Sequence, residues 1–188
     1  MTEREILVAL GANLPSPVGP PRETVRAAAE RLEAALGPVR LSRFYRTEAY
    51  PAGSGPDYVN AAMSLRSALD AGALLSTLHG IETEFHRERG SRWAGRTLDL
   101  DLIAAGQEVH PDKQGFAYWH RLDPADQARL APDRLILPHP RLQDRGFVLV
   151  PLADVAPGWR HPVLGATVAE MLAALPPGAL EGVRPLEG

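Results

Sequence analysis

The chain has no cysteine. That absence removes a disulfide framework, cysteine-ligated zinc, an iron–sulfur cluster and a thiol nucleophile together. Lysine is almost absent as well: Lys113 stands alone, so 19 of the 20 basic residues are arginines. Any anion site must therefore be built from guanidinium groups, which stay charged and bind in a planar fork. No apolar run approaches the ~18 residues that a membrane helix needs. The charged start, Met1 to Glu5, lacks the apolar stretch and cleavage site of a signal peptide. A cytoplasmic protein with no membrane partner is expected. The net charge of −3 leaves no general nucleic-acid footprint, and no nucleic-acid partner is expected either. Also missing are a Gly-x-x-x-x-Gly-Lys-Ser/Thr phosphate loop, the His-Arg-Asp and Asp-Phe-Gly kinase signatures, and a dinucleotide fingerprint after the first strand. A nucleotide bound by this chain is held by another device.

What is present is a globular composition, 45% hydrophobic and 23% charged over 188 residues. It predicts a single domain, 1–188, that buries roughly two-thirds of its unfolded surface. Ile6 to Leu10 reads as a buried strand ending at Gly11. A helix starts near Pro21, with Val25, Ala28, Leu32 and Leu36 on one face and Gly37-Pro38 as its stop. Val39 to Thr47 is a second strand. A Gly/Pro-rich loop from Tyr50 to Pro56 precedes a third, Tyr58 to Leu65. Asp70 caps a second helix carrying Leu74, Leu78, Ile81 and Phe85, and Leu98 to Ala104 is a fourth strand. The order β-α-β-β-α-β is ferredoxin-like, an α+β fold with an antiparallel sheet and helices on one face. Residues 107–134 read as an insertion, with a short helix around Pro124–Arg129. Thr167 to Leu175 closes the fold as a C-terminal helix, and 176–188 is a flexible tail.

The chemistry concentrates around the fourth strand. Leu98, Leu100 and Leu102 face one way, Asp99 and Asp101 the other. Two carboxylates about 7 Å apart on one strand face repel each other unless a positive partner is supplied. The candidates are a hard divalent cation, which prefers oxygen ligands, or the arginines just upstream, Arg87, Arg89, Arg92 and Arg96. Acids that hold Mg²⁺ beside arginines that neutralise phosphate suit a metal-bound polyphosphate; a solvated, salt-bridged strand face suits the same spacing. The segment Gly90 to Gly95, with Trp93, reads as a mobile lid or a plain surface loop. Tyr58 and Asn60 share a strand face, and Asn60 can match the edge of a heterocyclic amide. Phe147, after Arg145-Gly146, can stack a ring against Tyr58 or simply join the core. Two prolines hold His139 and Arg141 rigidly. His79, His86, His110, His120 and His161 show no metal-ligand spacing.

Six pieces occur in one order: Leu10 to Leu14, Phe44 to Thr47, Pro56 to Ala62, Arg92 to Asp101, Leu137 to His139, and Arg145 to Phe147. Together they resemble the 6-hydroxymethyl-7,8-dihydropterin pyrophosphokinases of folate biosynthesis. The resemblance implies transfer of pyrophosphate from ATP to the pterin hydroxymethyl group, with release of AMP. It implies that Asp99 and Asp101 ligate two Mg²⁺ ions, with Arg96 and Arg89 completing the catalytic set. Tyr58 and Phe147 would sandwich the pterin. Gly11, Thr47, Ala49, Tyr50, Asn60 and Trp93 would complete that pocket. His79, Glu82, Arg92, Arg96, Arg134, His139 and Arg145 would hold ATP. A monomer acting on these two small molecules is expected. The chain departs from the family pattern at His86 and Glu88, where arginine or lysine is common, at Ala94-Gly95, and at Pro140. Two other readings fit an Asp-x-Asp on such a sheet: a two-metal nucleotidyl transferase or nuclease, and a non-catalytic ferredoxin-like binding module.

Overall fold

A computed structural model describes residues 2–49, 53, 55–85, 97–123, 126 and 129–187. Strand β1 (Arg4–Ala12) leads into helix α1 (Pro21–Leu36), which has proline at its first position. Two short strands follow, β2 (Val39–Leu41) and β3 (Tyr45–Thr47), then β4 (Tyr58–Ser67). Helix α2 (Ala71–Glu84) starts where Asp70 accepts the Ala73 N–H at 2.7 Å, as the sequence predicts. Strand β5 (Asp99–Ala105) is followed by α3 (Lys113–Arg121), a 3₁₀ turn (Leu142–Asp144), α4 (Gly146–Val155), α5 (Val168–Ala173) and β6 (Arg184–Pro185). No described helix is long and apolar enough to cross a membrane.

The sheet order is β5-β1-β4-β3-β6, with β2 also on β4, and every pairing is antiparallel. The strand expected over Val39–Thr47 is broken in two. Leu41 pairs with Met63 and Tyr45 with Asn60, so 42–44 oppose only 61–62. One extra residue bulges the ladder. The gap frees the Arg43 N–H, which donates to Asp154 on α4 at 3.2 Å.

Alternation along the strands divides the core into two layers. Ile6, Val8 and Leu10 of β1, Ala61, Met63 and Leu65 of β4, and Leu98, Leu100 and Leu102 pack against Val25, Ala28 and Leu32 of α1 and Leu74, Leu78 and Ile81 of α2. On the other face Leu7, Ala62, Ile103 and Ala104 pack against Val148, Leu149, Leu152 and Val155 of α4, Trp159, and Val168 and Met171 of α5. Helices therefore cover both faces, where one was expected. The missed helix, α4, is buried on several sides and contains Pro151, so its sequence carries neither a polar stripe nor an uninterrupted helical run. The stretch expected to be a loose tail, 176–188, instead supplies β6. Its Arg184 and Pro185 pair with Arg46 and Tyr45, and Leu186 N–H donates to Phe44 at 2.8 Å. The helix expected around Pro124–Arg129 falls mostly outside the described residues.

Candidate active site

Cross-strand neighbours share a face of the sheet. Asp99 lies opposite Gly11, Gly11 opposite Asn60, and Asn60 opposite Tyr45, so a row of four residues runs across β5, β1, β4 and β3. Asp101 lies opposite Ala9 and Ala9 opposite Ala62 in the next row. Both rows belong to the second face, the one α4 covers. Gly11 fits closely in its row: a Cβ there would stand 3.0 Å from the Asn60 Oδ1. Asn60 is buried and donates through its amide to the Thr47 hydroxyl at 2.6 Å. Thr47 and Ala49 are buried as well, and Tyr58, opposite Thr47, is half-buried. Asn13, which the sequence reading left without a role, donates to the Pro56 carbonyl at 3.1 Å and ties the end of β1 to the approach to Tyr58. An asparagine directly after a buried strand was the available signal.

The acidic pair sits on an edge strand, half-buried, with its positive partner arriving from α4. The Arg145 guanidinium stands 3.6 Å from the Asp101 carboxylate and 5.7 Å from the centre of the Phe147 ring. Phe147 is 40% exposed, so it is not a core residue. After Leu102 the strand bulges: Leu102 pairs with Val8 but Ala104 with Leu7, leaving Ile103 as the extra residue. The Ile103 carbonyl accepts the His139 N–H at 2.8 Å. This contact and the pairing of Leu137 with His110 bring His139 within reach of the charges of Asp99, Arg141 and Arg145. Burial, then the charges of Arg145 and Arg141, hold the His139 imidazole well below the usual histidine range. Its Nδ1 accepts the Arg141 N–H at 3.2 Å, so the neutral ring carries its proton on Nε2 and can donate it.

Other expected residues are spread more widely. His79 and Glu82 are three apart on α2, and Glu82, 2% exposed, accepts the Leu100 N–H at 2.7 Å from the outer edge of β5. Arg134 is exposed and 3.4 Å from Asp133. Tyr50, Arg89, Arg92, Trp93 and Arg96 lie outside the described residues. Asp99 and Asp101, on one strand face, supply the hard oxygen donors that magnesium accepts, so this donor set fits that ion.

The fold is shared by a solved chain of wild-type Plasmodium falciparum HPPK-DHPS, which superposes with a TM-score of 0.61 at 13% identity over 92% of this chain. This chain spans 44% of that one's length. The sequence pattern of the 7,8-dihydro-6-hydroxymethylpterin-pyrophosphokinase family (HPPK) matches residues 7–157, and the chain belongs to that family. Relatives named 2-amino-4-hydroxy-6-hydroxymethyldihydropteridine pyrophosphokinase occur in Synechocystis and Pseudomonas aeruginosa. The first is 38% identical over 88% of this chain and 73% of its own length; the second is 36% identical over 98% of both. Membership in this family sets aside the nuclease and binding-module readings.

Proposed function

We propose that this chain transfers the terminal pyrophosphoryl group of ATP to 6-hydroxymethyl-7,8-dihydropterin. The hydroxymethyl oxygen attacks the β-phosphorus and gives up its proton to solvent, the bond from that phosphorus to the oxygen bridging the α-phosphorus breaks, and AMP leaves with that oxygen. The observation that carries the reading is the meeting of Asp99, Asp101, Arg145 and His139 beside the exposed ring of Phe147.

In this reading Asp99 and Asp101 hold two magnesium ions. Bound there, the metal would supply positive charge that neutralises the triphosphate and the departing AMP. Arg145 shields the acids from each other and neutralises phosphate charge. His139 donates a hydrogen bond from its Nε2–H to a phosphate oxygen without adding a charge of its own. Arg92, Arg96, Arg134, His79 and Glu82 complete the nucleotide side, and Arg89 joins the catalytic set. Tyr58 and Phe147 stack the two faces of the pterin, with Gly11, Thr47, Ala49, Tyr50, Asn60 and Trp93 around its edge. Positioning and charge neutralisation do most of the work, as in other phosphoryl transfers.

The sheet, in this reading, is ferredoxin-like, with Val39–Leu41 and Tyr45–Thr47 counted as one bulged strand. The order β5-β1-β4-β3 supports it. The chain acts as one cytoplasmic domain, a monomer with 107–134 as an insertion and no nucleic-acid partner; its net charge of −3 supports the last point. Incubating the protein with Mg-ATP and 6-hydroxymethyl-7,8-dihydropterin tests the central claim. AMP and the pterin diphosphate are expected. Release of ADP would point to transfer of a single phosphoryl group and overturn it.

A further inference from the structure

Helix α4 crosses the second face of the sheet and is tied down at both ends. At its start Arg145 reaches Asp101 on β5; in its last turn Asp154 meets Tyr45 on β3 and Arg43 just before that strand. Nine residue steps lead from Arg145 to Asp154, about 13.5 Å at 1.5 Å per step. From β5 through β1 and β4 to β3 are three strand spacings, about 14 Å. The helix is therefore as long as the distance it must bridge.

The β3 end is the stronger tie. Asp154 Oδ2 accepts from the Tyr45 hydroxyl at 2.8 Å, from the Arg43 backbone N–H at 3.2 Å and from Arg43 Nε at 3.1 Å, while Oδ1 accepts from Arg43 Nη2 at 2.7 Å. Tyr45 is 3% exposed. A hydroxyl that deep must find a partner, so a tyrosine where a phenylalanine would pack is explained by the carboxylate above it. Burial opposes ionisation of Asp154, but the bonds from Arg43 and Tyr45 outweigh it and hold its carboxyl below the usual range.

These contacts span the two sides of the pterin pocket. Tyr45 pairs with Asn60 and shares β3 with Thr47, the hydroxyl that Asn60 engages. Asp154 shares a ten-residue helix with Phe147. Phe147, 40% exposed and outside both apolar layers, takes its position from the helix rather than from core packing around its own ring. We infer that Tyr45 and Asp154, with Arg43, are positioning residues for the bicyclic substrate: their clamp sets the height of the Phe147 ring above the floor made by Tyr58, Asn60 and Thr47. The described bonds of Asp154 go to Arg43 and Tyr45 and not to the acidic pair, so the clamp bears first on the pterin side. The inference rests on the function proposed above.

Tyr45→Phe keeps the ring and removes the hydroxyl; Arg43→Ala alters a side chain that is 67% exposed, with little risk to folding. In both, calorimetry should read about fivefold to tenfold weaker binding of 6-hydroxymethyl-7,8-dihydropterin, within the range of one ordinary hydrogen bond. Affinity for a magnesium complex of a non-hydrolysable ATP analogue should change less than about twofold, the scatter expected for an unlinked site. The KM for the pterin should rise while kcat at saturation stays near that of the unaltered chain. A purely structural role would weaken both ligands by the same factor, and that result overturns the inference, as does unchanged pterin affinity in both variants. If the unaltered chain binds no pterin, the proposed function falls and the inference falls with it.

Discussion

Asp99 and Asp101 carry a cost that only their surroundings relieve. On one face of an edge strand their charges repel, and in this structure the relief comes from Arg145, 3.6 Å from Asp101. Neither acid contributes to the apolar layers on either side of the sheet. Removing one should therefore impair catalysis far more than folding. Asp99→Ala or Asp101→Ala is expected to lower kcat/KM at least ~100-fold, comparable to deleting one preorganised charge contact. Turnover equal to the unaltered chain at saturating magnesium, in either variant, would refute the metal-binding role. His139 completes the residue-scale account. Its ring nitrogens have distinct tasks because the Arg141 N–H occupies Nδ1, which leaves Nε2 as a donor beside the acids.

At the scale of elements, α4 organises the site. It carries Phe147 and Asp154, follows directly on Arg145, and supplies four residues to the second core layer. Its first residue, Gly146, is pressed against the C-terminal segment: a Cβ there would stand 2.5 Å from the Ala179 carbonyl oxygen and 2.9 Å from Leu180 Cδ2. The carbonyl belongs to the backbone and cannot swing aside as a side chain would. Gly146→Ala should cost about 1–3 kcal/mol, the usual range for overpacking a filled site. Urea denaturation reads this directly, and an unchanged midpoint would mean that the C-terminal segment yields freely. The segment that ends in β6 thus bears on the site from behind, by holding the start of α4.

At the scale of the whole molecule, the sheet is the shared wall of two apolar layers, and the segment after α4 adds a pH-dependent part to the stability. His161 is fully buried, 5.3 Å from the Phe116 ring of α3 and 5.7 Å from Trp159. Burial, helped by the charge of His120, pushes its pKa down from 6.5 to about 4. The unfolded chain therefore takes up a proton that the folded chain refuses across that interval. Stability is full above about 6.5 and declines as pH falls toward about 4. His161→Asn, whose amide oxygen can accept the Val163 and Leu164 N–H groups as Nδ1 does, should flatten that slope. Urea titrations across the interval check this; an equal slope in the variant would remove His161 as the cause. By itself the sequence determined what backbone geometry imposes over a few residues. It set the period-two facing of Asp99 and Asp101, the starts of α1 at Pro21 and α2 at Asp70, and the leucine face under α2. Only the tertiary structure decided the rest. The ladder breaks at 42–44, the bulge falls at Ile103, a proline-bearing apolar run becomes α4, and Tyr45 finds Asp154 across 109 residues. Periodicity is a local property that each stretch carries in its own pattern. Which distant groups meet is settled by how the layers close over the sheet, and no short stretch contains that information.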